Sequence, residues 1–302
     1  MSNERMYDGK PVGKLNVKDL PAAGEGTWST VYEVSDDKVV KVFKNTEFAD
    51  TFAYTLKCWH SLKTVWENGI PVPEPFEMVE TEESFGIVMG RMHGGTVGAF
   101  LNQHPELVEE YAVRSAQLLK QINTTAVDDP DIKDARDPWR EMVEVVDKYL
   151  TPERKKTMLD FVDRIPVRNT LVHGDFHTNN IMLEDGKFVL IDTDEMGVGH
   201  PIMDLANLYA AYIFVATEVP DYCREITGMS AEDALKYWDV FLQEYLGIHD
   251  HEEIVQASRN IRAFALIRKA RGLVFTDYGD RSVVGAVLDD FFGRMETVEL
   301  VP

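Results

Sequence analysis

Residues 171–183, LVHGDFHTNNIML, set Asp175 and Asn180 five positions apart immediately ahead of an apolar strand. That pairing suits phosphoryl transfer. A carboxylate can take up the proton of an attacking hydroxyl, while an amide oxygen nearby helps hold Mg²⁺ on nucleotide phosphates. A second apolar strand, Val189-Leu190-Ile191, ends in Asp192, and Asp185-Gly186 between the two strands reads as a tight hairpin turn. Such a hairpin returns the chain on itself, so Asp192 is expected beside Asn180 as a second metal ligand. His173, Asp175 and His177 also offer three ligand-type groups for the metal of a hydrolase. That alternative leaves the hairpin, Asp192 and the glycine loop described next without a role. His177 is read as a structural or pocket histidine.

The elements that must position these groups begin near the N-terminus. Residues 23–34, AGEGTWSTVYEV, read as a strand, a flexible flap and a returning strand. Gly24 and Gly26 would let backbone N–H groups approach phosphates, and Ser29 could donate one more hydrogen bond. Lys41 follows within Val39-Val40-Lys41-Val42, where an ammonium on a strand needs an anion. It is therefore the expected phosphate contact, with Lys44 as the fallback. A helix is predicted from about residue 47 to 68, with Phe48, Phe52, Leu56, Trp59, Leu62 and Trp66 as its apolar stripe, ended by Pro71, Pro73 and Pro75. Strands at 76–79 and 85–89 complete a small sheet, and the glycine-bearing stretch 90–96 reads as a hinge. Beyond it the pattern turns helical. Residues 105–123 carry a helical stripe, Thr151-Pro152-Glu153 is a helix start, and Ser230-Ala231-Glu232-Asp233 resembles a capping box.

The ordered series HGDFHTNN at 173–180, Ile191-Asp192 and GHPIMDLA at 199–206, preceded by the glycine loop, resembles the aminoglycoside phosphotransferase and choline kinase superfamily. Its fold is similar to that of protein kinases. The resemblance implies an α+β, two-lobed architecture. Residues 1–90 would form a small nucleotide-binding N-lobe with an antiparallel sheet and one helix, and residues 91–302 a larger, mainly helical C-lobe. It further implies ATP and Mg²⁺ as cofactors, Asp175 as catalytic base, His173 as a brace, Asn180 and Asp192 as Mg²⁺ ligands, and Asp204 as an anchor of the catalytic segment. Gly24, Gly26, Ser29 and Lys41 would hold phosphates, and the adenine-binding linker would fall at Met89-Gly90-Arg91. One feature departs from the pattern. The glutamate that usually pairs with the strand lysine is missing from the middle of the predicted helix, so either Glu47 or Asp50 takes its place or the nucleotide phosphates alone satisfy Lys41. That departure is the best support for a rival reading, a nucleotide-binding pseudokinase. A protein kinase is disfavoured because no activation segment is visible between Asp192 and Asp204.

A chain of 302 residues with 44% apolar content can build a sizeable core. No long apolar run and no basic, apolar leader appears, which points to a cytoplasmic protein without a membrane partner. Cys58 and Cys223 lie far apart and suggest a reducing compartment. The net charge of −21 argues against nucleic acid as a partner. Because that charge is spread in proportion to length over both predicted lobes, it says little about the acceptor. The expected acceptor is a small, cationic molecule (an aminoglycoside-like compound, amino sugar or amino alcohol) held by Asp194, Glu195, Asp277 and Asp280. Oligomeric state is not encoded in any of these patterns.

Overall fold

A computed structural model describes residues 5–45, 50–275 and 281–300. The chain divides into two compact units, and the division differs from a single cut near residue 90. Met1–Gly94 is joined by Asp129–Ile132 and Met182–Asp194 in the first unit, and the remaining segments make the second.

The first unit is built on a six-stranded sheet with spatial order Gly13–Lys14, Pro75–Glu80, Phe85–Gly90, Lys38–Phe43, Ser29–Glu33, Ala22–Glu25. Its pairings are antiparallel apart from the first, in which Gly13 lies opposite Val79 in a parallel edge pair. The sheet is therefore not wholly antiparallel as expected. Val39, Val40, Val42 and Phe43 are all buried, which makes the Lys41 strand a central one covered on both faces. Gly86 sits beside it for a steric reason. A Cβ there would lie 2.8 Å from the Lys41 carbonyl oxygen.

Helix Thr51–Glu67 packs on strands Pro75–Glu80 and Phe85–Gly90 through Cys58, Trp59, Leu62 and Val65. Asp50 caps its start, accepting hydrogen bonds from the Phe52 and Ala53 N–H groups at 3.0 and 3.4 Å. The hairpin Ile181–Glu184 and Lys187–Leu190 forms as predicted, with Asp185 and Gly186 at φ +49° and +76° in its turn. Its attachment explains the revised division. Glu184 accepts from the His93 and Gly94 N–H groups at 2.9 and 2.7 Å, and the Leu190 N–H donates to the Pro71 carbonyl at 2.7 Å.

The second unit is mainly helical. The predicted stripe at 105–123 resolves into a 3₁₀ turn, Pro105–Leu107, and an α-helix, Val108–Thr124, which packs along Ala231–Leu246. Ser230 caps the latter by accepting from the Asp233 N–H at 3.1 Å. Helix His251–Phe275 runs through the middle of the unit and touches Val284–Arg294, Ile202–Tyr209 and Arg136–Val145. Between Ile202–Tyr209 and Val215–Glu218 the chain makes a π-helical turn, Ala210–Phe214, which takes in one residue more than an α-helical turn. No described helix is long and apolar enough to cross a membrane.

Candidate active site

In the first unit, the glycine flap is the antiparallel pair Ala22–Glu25 and Ser29–Glu33, closed by a hydrogen bond from the Gly26 N–H to the Ser29 carbonyl at 2.8 Å. A Cβ at Gly24 would meet nothing, so contacts within the chain do not account for glycine at that position. Lys44 belongs to this flap. Its ammonium reaches the Gly26 carbonyl at 2.8 Å and Glu25 at 3.0 Å, which ties down the tip.

Lys41 meets two carboxylates, Asp194 at 2.6 Å and Asp192 at 2.8 Å. Burial alone would lower its pKa. The charges of Asp194 and then Asp192 outweigh burial and hold it above the ordinary lysine value. These aspartates are carboxylates other than the two expected near the start of the next helix. Asp50 is committed to its helix cap, and Glu47 lies outside the described residues. Asp192 is itself unusual. It adopts φ +58°, a left-handed conformation costly for a side chain with a Cβ, and it is 47% exposed.

The backbone donors of the predicted linker are engaged within the first unit. The Gly90 N–H donates to the Glu74 carbonyl and the Arg91 N–H to the Asp37 carbonyl, both at 2.9 Å, while the Arg91 side chain pairs with Glu33 at 2.5 Å. Met89 is in the sheet opposite Val39. Among the described residues, the Met92 N–H makes no backbone hydrogen bond.

In the second unit, the catalytic segment follows strand Leu171–Val172, which pairs with Gly197–Val198. Asp204, fully buried on helix Ile202–Tyr209, accepts hydrogen bonds from the His173 N–H at 3.0 Å, the Gly174 N–H at 2.7 Å and Asn123 Nδ2 at 2.8 Å. Burial raises its pKa, against the pull of the His173 charge and the three donors. Gly174 turns the chain at φ +84°, where a Cβ would press on Glu195, and its carbonyl accepts from Asn207 Nδ2. His173 is buried, and its Nδ1 accepts from the Asp175 N–H at 3.1 Å. Asn180 Nδ2 donates to the Asp175 carbonyl at 2.9 Å, which locks the two residues at their five-residue spacing and leaves the amide oxygen as the atom Asn180 can offer a cation.

The Asp175 carboxylate has a partner that the sequence did not suggest, Arg268, whose Nη2 lies 2.6 Å from Oδ1. His177 Nε2 stands 3.7 Å from Oδ2. Burial would raise the carboxyl's pKa, but the Arg268 guanidinium and then His177 hold it well below the usual carboxylate range.

The same segment is clamped from below. Asn179 Nδ2 donates to the Glu225 and Ile226 carbonyls at 3.2 and 3.0 Å, and its side chain lies against Gly98, whose backbone in turn touches Gly228. Gly228 has φ +77°, and a Cβ there would run into the Gly98 backbone. Gly228→Ala is therefore expected to destabilise the protein by ~2 kcal/mol or more, combining left-handed strain with backbone displacement. A urea midpoint equal to wild type would contradict this packing.

The described residues among those proposed for a cationic acceptor are already paired. Asp194 is bound to Lys41, Glu195 pairs with Lys133 at 3.2 Å, and Asp277 and Asp280 lie outside the described residues. What borders Asp175 is a cavity of about 330 Å³ with Arg268, Lys269 and Arg271 on its wall.

The sequence profile of the phosphotransferase enzyme family matches residues 19–238, the span that holds the flap, Lys41 and the catalytic segment. The chain belongs to that family. Members are phosphotransferases with an alcohol group as acceptor, and this phosphotransferase is 28% identical over 229 residues to viomycin phosphotransferase of Streptomyces vinaceus, covering 69% of this chain and 77% of that one. Aminoglycoside phosphotransferase APH(2'')-Ib, solved with ADP, shares its fold with a TM-score of 0.56 at 16% identity, over 92% of this chain and 94% of that chain. Amicoumacin kinase hAmiN, solved with AMP-PNP, Ca²⁺ and its antibiotic, gives 0.56 at 17% identity, over 94% and 90%. The kinase-like α+β fold expected from the sequence is thus the fold of this phosphotransferase.

Proposed function

We propose that the chain is a kinase that moves the γ-phosphoryl group of ATP to a hydroxyl of a small, antibiotic-like molecule, with Mg²⁺ as the metal. The observation that carries this reading is the meeting of Lys41 with Asp192 at 2.8 Å inside one unit. A cation suited to phosphate and a carboxylate suited to a metal are thereby held in one place, although 151 residues separate them. Nucleotide and divalent cation in the relatives' structures support the same reading.

The donor set fits Mg²⁺. Asn180 and Asp192 present hard oxygen ligands, and Mg²⁺ commonly keeps phosphate oxygens and waters for the rest of its shell. When bound it would neutralise charge on the phosphates. The other tasks fall to the chain. Lys41 would leave its aspartates for the α- and β-phosphates, the Met92 N–H would meet the adenine edge, and the flap would cover the phosphates. Asp175, kept ionised by Arg268, would take the hydroxyl proton as the acceptor oxygen bonds to the γ-phosphorus. The bond from that phosphorus to the bridging oxygen breaks, and ADP leaves.

ADP release on a panel of hydroxylated acceptors tests the reading. Lys41→Met is expected to lower ATP turnover by ~10²-fold or more, consistent with loss of a charge-stabilising contact in a water-poor site. Lys44→Met, which only loosens the flap tip, should cost far less. The opposite order would overturn the assignment, and an absence of ADP release with every acceptor would favour a nucleotide-binding pseudokinase.

A further inference from the structure

The cavity beside Asp175 carries information about the acceptor that the family match does not, because its basic wall lies on helix His251–Phe275, beyond residue 238 where the match ends. Most of the remaining lining is apolar, including Phe214, Val215, Val219 and Leu273. Its charges do not balance. Arg268 is bound to Asp175 at 2.6 Å, and Lys269 is bound to Glu218 at 2.5 Å, with its ammonium 4.7 Å from the Phe214 ring centre. Arg271 is left over. Its guanidinium lies 4.8 Å from the Phe275 ring centre, and among the described residues it forms no ion pair.

Building on the kinase reading, we propose that the acceptor pocket takes a hydroxy acid: a molecule with one anionic group for Arg271, an apolar body for the cavity, and a hydroxyl that reaches Asp175. Geometry sets the spacing. Arg271 follows Arg268 by three residues on one helix, so the two guanidinium groups project from neighbouring positions of one face, and their Cα atoms are about 4.5 Å apart along the axis. An anion on Arg271 therefore holds a hydroxyl two or three carbons away near the carboxylate that Arg268 binds. Arg271 is partly buried, and burial and then the Arg268 charge lower its pKa against the pull of Glu195, Asp175 and Glu141; an anionic ligand would offset what those carboxylates leave. A polycation would find the described carboxylates of this cavity, Asp175 and Glu218, already paired, and would meet a guanidinium whose charge is only partly offset.

Three probes of matched length separate the possibilities: 3-hydroxyoctanoate, 3-hydroxyoctanamide and 1-amino-3-octanol. Binding to the full chain is followed by calorimetry, and turnover by ADP release with Mg-ATP. The acid is expected to exceed the amide by about tenfold in affinity and in kcat/KM, the scale of one charge-assisted hydrogen bond, and the amine to bind more weakly than either. Arg271→Gln should bring the acid-to-amide ratio towards one. Preference for the amine, no saturable binding of the acid, or a ratio unmoved by Arg271→Gln would each overturn the inference. The two readings fail separately. Turnover of the amine that depends on Asp175 would remove the hydroxy acid and keep the kinase, whereas tight binding of the acid with no ADP release from any acceptor would keep the anion site and remove the kinase.

Discussion

Asp175→Asn is expected to lower phosphoryl transfer by ~10²–10⁴-fold while leaving nucleotide affinity near wild type, the range for losing a positioned general base. Asparagine preserves the shape of the side chain and can still accept from Arg268 at the position of Oδ1, so the segment should keep its fold. What it loses is the ability to take a proton. The Arg268 guanidinium has a second consequence, which concerns pH. It holds the carboxyl below its ordinary value, so this group stabilises the folded state above its unfolded pKa, and that contribution is lost only as pH falls towards the depressed folded value. The acid limb of the wild-type rate profile should therefore not come from Asp175 within the usual carboxylate range. Arg268→Ala should bring that limb up into it. Wild-type turnover by Asp175→Asn would remove the carboxylate from the chemistry.

Asp204→Ala should give the largest loss of stability, about 3–5 kcal/mol, because a buried acceptor is taken from three donors and an unsatisfied buried group costs ~1–3 kcal/mol. His173, Gly174 and Asn123 would all lose their partner, and water would have to enter an enclosed site to replace it. Activity should vanish along with the catalytic segment. Asp204→Asn should fall between wild type and alanine, since one oxygen remains to accept and the ionised form is itself disfavoured by burial. The sign of that burial effect is fixed: a raised carboxyl pKa favours folding below the unfolded pKa, and the advantage disappears as pH rises through the folded value. Urea unfolding of the three proteins at neutral pH measures this order, and an alanine variant as stable as wild type would show that the hydrogen bonds anchor nothing.

Much of this was legible in local sequence, and the parts that were not have a common cause. The Asp185-Gly186 turn and the Ser230 cap are decided by neighbours within a few positions, which a turn residue reveals; the stripe of helix Thr51–Glu67 was legible only in part, since Trp59 and Leu62 are buried with Cys58 and Val65 while Trp66 is exposed. The partners of Lys41 and Asp175 are 151, 153 and 93 residues distant, and nothing in a strand or loop pattern selects among the chain's many charges at such range. Expecting the acid for Lys41 on the next helix followed the family's habit and missed Asp192 and Asp194. Arg268 and Arg271 were harder still. Helix His251–Phe275 buries residues around most of its circumference, from Ile254 and Ile261 to Phe264 and Ile267, so it offers no clear polar stripe against which its cations would stand out. The π-helical turn was invisible for a related reason, since its extra residue only shifts the sequence phase of a segment that is mostly apolar on every side.

That turn ties two surfaces together. Upstream, every residue of Ile202–Tyr209 is buried and the helix holds the catalytic segment through Asp204; downstream, Val215 and Glu218 face the cavity. Within the turn itself the Tyr212 hydroxyl accepts from the Thr178 N–H at 3.0 Å, so the catalytic segment is held a second time, from beside the cavity. A single-codon deletion within 210–214 would therefore disturb both at once. Selection has no freedom here to reshape the cavity without also touching the loop that carries Asp175 and Asn180.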